Sequence, residues 1–289
     1  MTSLPLNTTI HSAAPTPVLA LLNPARLVRL FASHRALIRQ FTMREIHSAN
    51  RDTALGWAWV AITPAIMLAI YTIVFGTILG ARGNRPPLEY ALWLFCGITL
   101  FHLFTEPMNR GPGLVAGRPN FVKKLVFPLE ILPVSAIGVV LFHTAISCVL
   151  LVIAKAVVVG HFSGWELLFP VAVVPVALLG LGVCTLLAAI GVFVRDLRHI
   201  VNGPLGRALF FLTPLVYPLE IVPERFRWLI AINPLTSVVQ FGRQCLVDGR
   251  NPDGAWWIGL GVVTLVGLVG VVAAYAVFTK AKRGFADVI

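Results

Sequence analysis

Apolar residues in this chain come in long runs, and the stretches between them are short, basic and rich in proline. Six of these runs read as transmembrane helices, each near the roughly 20 residues that a bilayer crossing needs. They cover about 57–79, 88–105, 131–154, 167–194, 200–216 and 256–279. The first opens on Trp57 and Trp59, where interfacial aromatics belong. The second is short. The fourth is long enough to tilt or break at Pro170 and Pro175, and the fifth carries Arg207 in its interior.

Ahead of the spans, residues 24–46 have helical periodicity. Leu27, Leu30, Phe31, Leu37, Ile38 and Phe41 share one face, with Arg26, Arg29, Arg35, Arg39 and Arg44 off it. A narrow apolar stripe with an arginine-rich remainder predicts a helix lying in the membrane interface. An ordinary amphipathic core helix is the alternative. Residues 1–22, rich in Ser, Thr and Pro, read as a disordered tail, and 23–289 as a single membrane domain. Between spans five and six, residues 218–252 are too many for a plain connection. Asn233-Pro234 has the form of an N-cap followed by proline at the first helical position. The expectation is two short helices that re-enter or cap the outer face; a free loop is the alternative. The predicted fold is an all-α membrane protein: six spans, an N-terminal interface helix and short outer re-entrant helices.

Composition agrees. The 289 residues are 57% hydrophobic and 12% charged, against about a quarter charged in soluble domains. The net charge of +11 could point to nucleic acid. In a membrane protein, basic residues that hold loops on the cytoplasmic side are the better reading. With six spans, 15 of the 23 lysines and arginines fall on the side of the N-terminus and 7 on the other, Arg207 being the last. Both termini are therefore expected on the cytoplasmic side of the membrane. Cys96, Cys148, Cys184 and Cys245 are scattered singly, with no metal-ligand spacing.

Several chemistries are missing from the sequence. No Gly-Lys pair exists, so there is no phosphate-binding loop. There is no Gly-x-Ser-x-Gly elbow and no His-Glu-x-x-His. Glu106 and Glu130 are placed at span ends, and no acid in a span interior, which argues against a proton-coupled transporter. His102 and His143 read as hydrogen bonders between helices. Arg207 either snorkels to the cytoplasm or faces a polar cavity that meets an anionic substrate. A membrane-embedded enzyme would need an acidic or histidine cluster, which the pattern lacks.

Between spans two and three lies Asn120-Phe-Val-Lys-Lys-Leu-Val-Phe-Pro-Leu-Glu-Ile-Leu-Pro133. A basic loop punctuated by Phe127-Pro128, Glu130 and Pro133 is a candidate surface for passing force into the membrane body. Its segment 127–133 is echoed at 217–223, Tyr-Pro-Leu-Glu-Ile-Val-Pro. An inverted repeat would produce this; chance similarity between two span ends is the simpler reading.

These residues carry a resemblance. Arg44-Glu45, Leu55-Gly56 with Trp59 and Pro64, Asn120, Lys124 and 127–133, Arg195-Asp196, Pro214, Tyr217-Pro218 and Asn233-Pro234-Leu235 resemble, in order and spacing, the membrane subunits of type-2 ABC exporters. The closest likeness is to permeases that move O-antigen, capsule or teichoic acid. The resemblance covers about residues 35–285. The chain departs from the pattern between Glu45 and Leu55, where it reads Ile-His-Ser-Ala-Asn-Arg-Asp-Thr-Ala. The resemblance implies a homodimeric pore for a lipid-linked polysaccharide, with two copies of a separate ATP-binding subunit. ATP and Mg would sit on that partner, and no cofactor or catalytic residue on this chain. Asn120, Lys123, Lys124, Phe127, Pro128 and Glu130 would couple to the ATPase, with Phe127 as an apolar plug. Arg39, Arg44 and Glu45 would mark the interface helix. Candidate channel or gate residues are Tyr71, Trp93, Arg207, Tyr217, Glu220 and Asn233. A drug or lipid exporter of the same family is the alternative, and a secondary transporter a more distant one.

Overall fold

The computed structural model describes residues 23–50, 55–78, 85–123 and 127–288. The tail at 1–22, Leu79 at the expected end of span one, and Lys124 of the loop lie outside the described residues. Among those described, all regular structure is helical.

The N-terminal pattern forms two helices where one was expected. α1 (Pro24–Ser33) starts as the sequence dictates, with the Asn23 side chain accepting from the Ala25 amide and Pro24 in the first turn. It stops because the Ser33 hydroxyl and the His34 amide and ring all converge on the Leu30 carbonyl. α2 (Arg35–Asn50) follows and lies against α6 (Ile131–Val158). Thr42 donates to the Ser135 carbonyl at 3.3 Å, and Gly138 leaves room for the Thr42 side chain. α2 is thus packed on the membrane body, a partner that composition alone did not offer.

α3 (Ala58–Tyr71) continues as a π-helical turn over Thr72–Ile78. It has an internal Pro64 and no buried residue. α4 (Pro87–Arg110, with a 3-10 turn over Gly111–Gly113) outruns the span expected at 88–105. It is the central helix, touching α3, α6, α7, α9 and α11. The four-residue α5 (Pro119–Val122) leads to α6. α7 (Phe169–Ile190) runs unbroken. Pro170 sits in its first turn, where an amide is not needed, and Pro175 is absorbed in the buried interior. α8 (Leu197–Ile200), a π turn (Val201–Leu205) and α9 (Gly206–Leu212) form one short rod. α10 (Glu224–Ile232) and α11 (Pro234–Leu246) cap one end, with Asn233 as the expected N-cap of α11. α12 (Gly254–Ala281) and α13 (Phe285–Val288) complete the chain.

Among the described residues, four helical stretches have the length and apolar content to cross a membrane: Pro87–Gly113, Ile131–Val158, Trp165–Ile190 and Gly254–Val288. α3 and the 197–212 rod are shorter.

Small residues set the closest approaches. α7 and α12 form the most extensive helix pair, where Gly182 meets the Gly270–Val271 backbone and Gly267 meets Leu178. In lipid, where apolar side chains gain little by leaving the solvent, such backbone proximity carries association. Tightest of all, a Cβ on Gly191 would lie 2.2 Å from the Pro112 carbonyl oxygen. Gly191→Ala is therefore expected to cost about 1–3 kcal/mol through overpacking. Gly113→Ala, whose Cβ meets nothing within 4 Å, is the control. Thermal unfolding in detergent checks the pair, and equal melting temperatures would refute the close packing.

Candidate functional site

α4 is buried on most sides. Past its first turn, and ahead of Arg110 at its end, its uncovered residues are His102, Glu106 and Asn109, spaced four and three residues apart on one face. His102 and Glu106 border two cavities of about 430 Å³ each. The first lies between α4, α3 and α6; its wall is largely apolar, with Trp59, Met67 and Phe95 among it, and Thr63, Thr99, His143 and Ser147 add polar groups. The second faces the 197–212 rod and adds Asn202, Arg207 and Phe210. Glu106 and Asn109 also reach a third, of about 660 Å³, bordered by Glu45, Arg118 and Arg198. A polar stripe thus runs along a helix whose remaining faces are apolar core.

Charge is concentrated where the stripe ends. Arg110 donates to Glu45 at 3.0 Å and to Glu106 one turn back. Arg118 approaches the other Glu45 oxygen at 3.6 Å. The network neutralises Glu106, which lets the helix run past it. Glu106 therefore sits inside α4, correcting its expected place at a span end. The same residues correct the reading of the histidines. Among the described residues neither His102 nor His143 makes a hydrogen bond; both border the cavities instead.

The loop residues divide into exposed and packed. Asn120 and Lys123 are exposed. Phe127 is half-buried against Phe121 at 4.6 Å and Phe41 at 5.4 Å between ring centroids. It pins the loop to α2 and does not project as a plug, because the aromatic trio covers its faces. Pro128 opens a turn closed by the Ile131 amide on the Pro128 carbonyl. Glu130 pairs with Lys282 at 2.9 Å, so its partner is the C-terminal tail and not a loop cation. The echo at 217–223 folds alike: the Ile221 amide bonds the Pro218 carbonyl in the equivalent turn. In the interface helices, Arg44 lies over the Phe41 ring, Arg39 is exposed and Glu45 holds the network.

The channel or gate candidates scatter. Tyr71 and Arg207 border the first and second cavities. Trp93 is buried, and Asn233 is committed to structure: it caps α11 and donates to Thr213 Oγ1 at 2.8 Å. Tyr217 donates to the Phe211 carbonyl, and desolvation raises its pKa. Glu220 is exposed beside a further cavity of about 590 Å³, at the end of α4 that carries Tyr90 and Trp93. Two buried cations escaped the sequence reading. Arg243 is 1% exposed on α11, and Lys155, near the C-terminal end of α6, pairs with the buried Glu166 in the 3-10 turn ahead of α7. Both were countable as cations of outer loops; the available signal was an ionisable residue inside an apolar periodicity.

The ABC-2 type transporter family profile matches residues 36–247. The chain belongs to this family. It is an integral membrane protein, and its relatives are permeases. The O-antigen export system permease protein RfbA of Myxococcus xanthus is 28% identical over 91% of this chain and 99% of its own length. A Klebsiella pneumoniae protein of the same name is 24% identical over 88% and 95%. The polysialic acid transport protein KpsM of Escherichia coli is 22% identical over 85% and 94%.

The Glu45–Arg110 bridge ties α2 to α4 and is about one-third exposed, so it is expected to contribute about 1 kcal/mol. Glu45→Arg and Arg110→Glu should each lower the melting temperature, and the charge-swapped double variant should regain part of the loss. Strictly additive losses would refute the pairing.

Proposed function

We propose that the chain is the permease subunit of an ABC exporter that moves a lipid-linked polysaccharide, O-antigen or capsule-like, across the bacterial cytoplasmic membrane. The observation that carries this reading is the polar stripe of α4, His102 to Asn109, bordered by cavities on two sides. A sugar polymer needs hydrogen-bonding groups along its path, because each unpaired polar group in hydrocarbon costs several kcal/mol. The names of the relatives supply the substrate class.

In this reading α3 and the 197–212 rod complete six spans, with both termini cytoplasmic. Both are uncovered in one chain: α3 buries nothing, and the rod presents Arg207 and Phe211. A second copy facing them would close the cavities into a pore. α10 and α11 cap or re-enter the outer face, and 23–289 is one membrane domain. ATP and Mg bind two copies of a separate subunit, and this chain holds no cofactor and no catalytic group.

The inner loop receives the stroke. Lys123 is exposed beside α5, and Lys124 follows it in sequence. Movement of α5 passes through Phe121 and Phe127 to Phe41 on α2, and Glu130, just ahead of α6, ties the loop to the C-terminal tail through Lys282. A Lys123→Glu, Lys124→Glu variant should insert normally yet fail to retain the ATPase. Like charges brought together at an interface cost several kcal/mol, and about 2.7 kcal/mol is already about 100-fold in affinity. Co-purification and surface display of the glycan are the readouts; full ATPase retention with normal export would sink the coupling role.

Topology has its own test. Cysteines at Lys123 and at Glu224, both exposed, should react with a membrane-impermeant maleimide from opposite sides, Glu224 from outside. Labelling of both from one side would overturn the arrangement.

A further inference from the structure

Arg243 sits on α11 with its guanidinium 1% exposed. Among the described residues it forms no salt bridge with a carboxylate. Its charge is held by carbonyl dipoles. Nε donates to Trp93 at 3.0 Å, Nη1 to Pro214 at 2.6 Å and Nη2 to Leu215 at 2.7 Å. Its plane lies 3.3 Å from the Trp93 ring centroid, and Tyr90 stacks on that ring at 5.5 Å. Tyr90 in turn donates to the Val216 carbonyl at 2.8 Å, and Asn233 grips Thr213. Every residue from 213 to 216 except the bulk of its side chains is thus pinned from α4 or α11.

The space was made for this group. Gly97 lies across from it on α4, and a Cβ there would come within 2.5 Å of Nη2. A buried ion without a counter-ion is expensive, and a lysine's point charge could not span three divergent carbonyls. An arrangement this costly, and this dependent on the planar fork, fixes geometry and not merely cohesion.

We propose that Arg243 is a positioning residue that locks the outer ends of α4, the 213–216 strap and α11 into one register, so that the outer helices move as a body with α4. The inner end of α4 is held by the Arg110 network, so the helix joins the two sides of the protein. Displacement at the inner loop reaches the outer cap through a rod fastened at both ends. Tyr217 and Glu220, next along the strap, take their places from this lock.

The test is a distance measurement on the reconstituted protein. Spin labels go at Glu224→Cys on α10 and Leu88→Cys at the outer end of α4, both exposed, with half-buried Cys148 replaced by Ala. The native lock should give a single narrow distance distribution. Arg243→Met should broaden it, and Arg243→Lys should lie between. Gly97→Ala should broaden it as Arg243→Met does, and the double variant should be no worse than either alone. Alanine is the better helix former, so a loss from Gly97→Ala has the displaced guanidinium as its cause, and this variant carries the test if Arg243→Met fails to reach the membrane. A narrow distribution in Arg243→Met, or additive effects of the two substitutions, would overturn the proposal. In the assembled exporter, export should fall at least about tenfold, the worth of one charged hydrogen bond, with ATP hydrolysis retained. That second readout rests on the export reading; the distances do not, so the two failures are separable.

Discussion

The structure depends on keeping α4 dry on every side but one. A helix at the centre of a membrane protein satisfies its own backbone, but it gains little from apolar contact alone when lipid offers the same. What holds it is close fit. Leu94, Cys96, Leu100 and Leu103 are wholly enclosed, and Gly111 and Pro112 bring its end against α7. Because these faces are filled, the remaining face has a fixed direction. His102, Glu106 and Asn109 can hold their places in a cavity wall only on a helix that does not rotate.

Two clasps fasten this helix, and they differ in chemistry. One, Glu45, Glu106, Arg110 and Arg118, is partly exposed and made of paired charges. Such pairs exchange partners at small cost. The other, Arg243 against three carbonyls and an indole face, is buried and among the described residues has no paired acid. The Arg110 end of α4 is therefore the compliant one and the Arg243 end the stiff one.

Much of this was legible in the sequence. The apolar runs at 131–154 and 256–279 became α6 and α12 because nothing interrupts their period. Asn233-Pro234 fixed the start of α11 through local chemistry. The span at 88–105 was read short because Glu106 and Pro107 look like terminators; the i, i+4 partner Arg110 and the long-range partner Glu45 neutralise the first, and the buried turn absorbs the second. Glu130 was legible only as a span-end carboxylate, because its partner lies 152 residues away. Phe127 looked like a docking knob because neither Phe41 nor Phe121 can be seen to meet it until the chain is folded. Arg243 was missed for the same reason: its partners are backbone carbonyls, and those carry no residue identity.

α3 offers a consequence of a different kind. No side chain of Ala58–Tyr71 is buried by the rest of its own chain. Leu68 and Tyr71 rest against the core, but most of the helix surface stays open after the other helices have closed around α4. That surface is left to lipid until another molecule arrives. An unassembled copy therefore displays an unclaimed membrane surface, a feature by which cellular surveillance can distinguish orphan subunits from finished complexes.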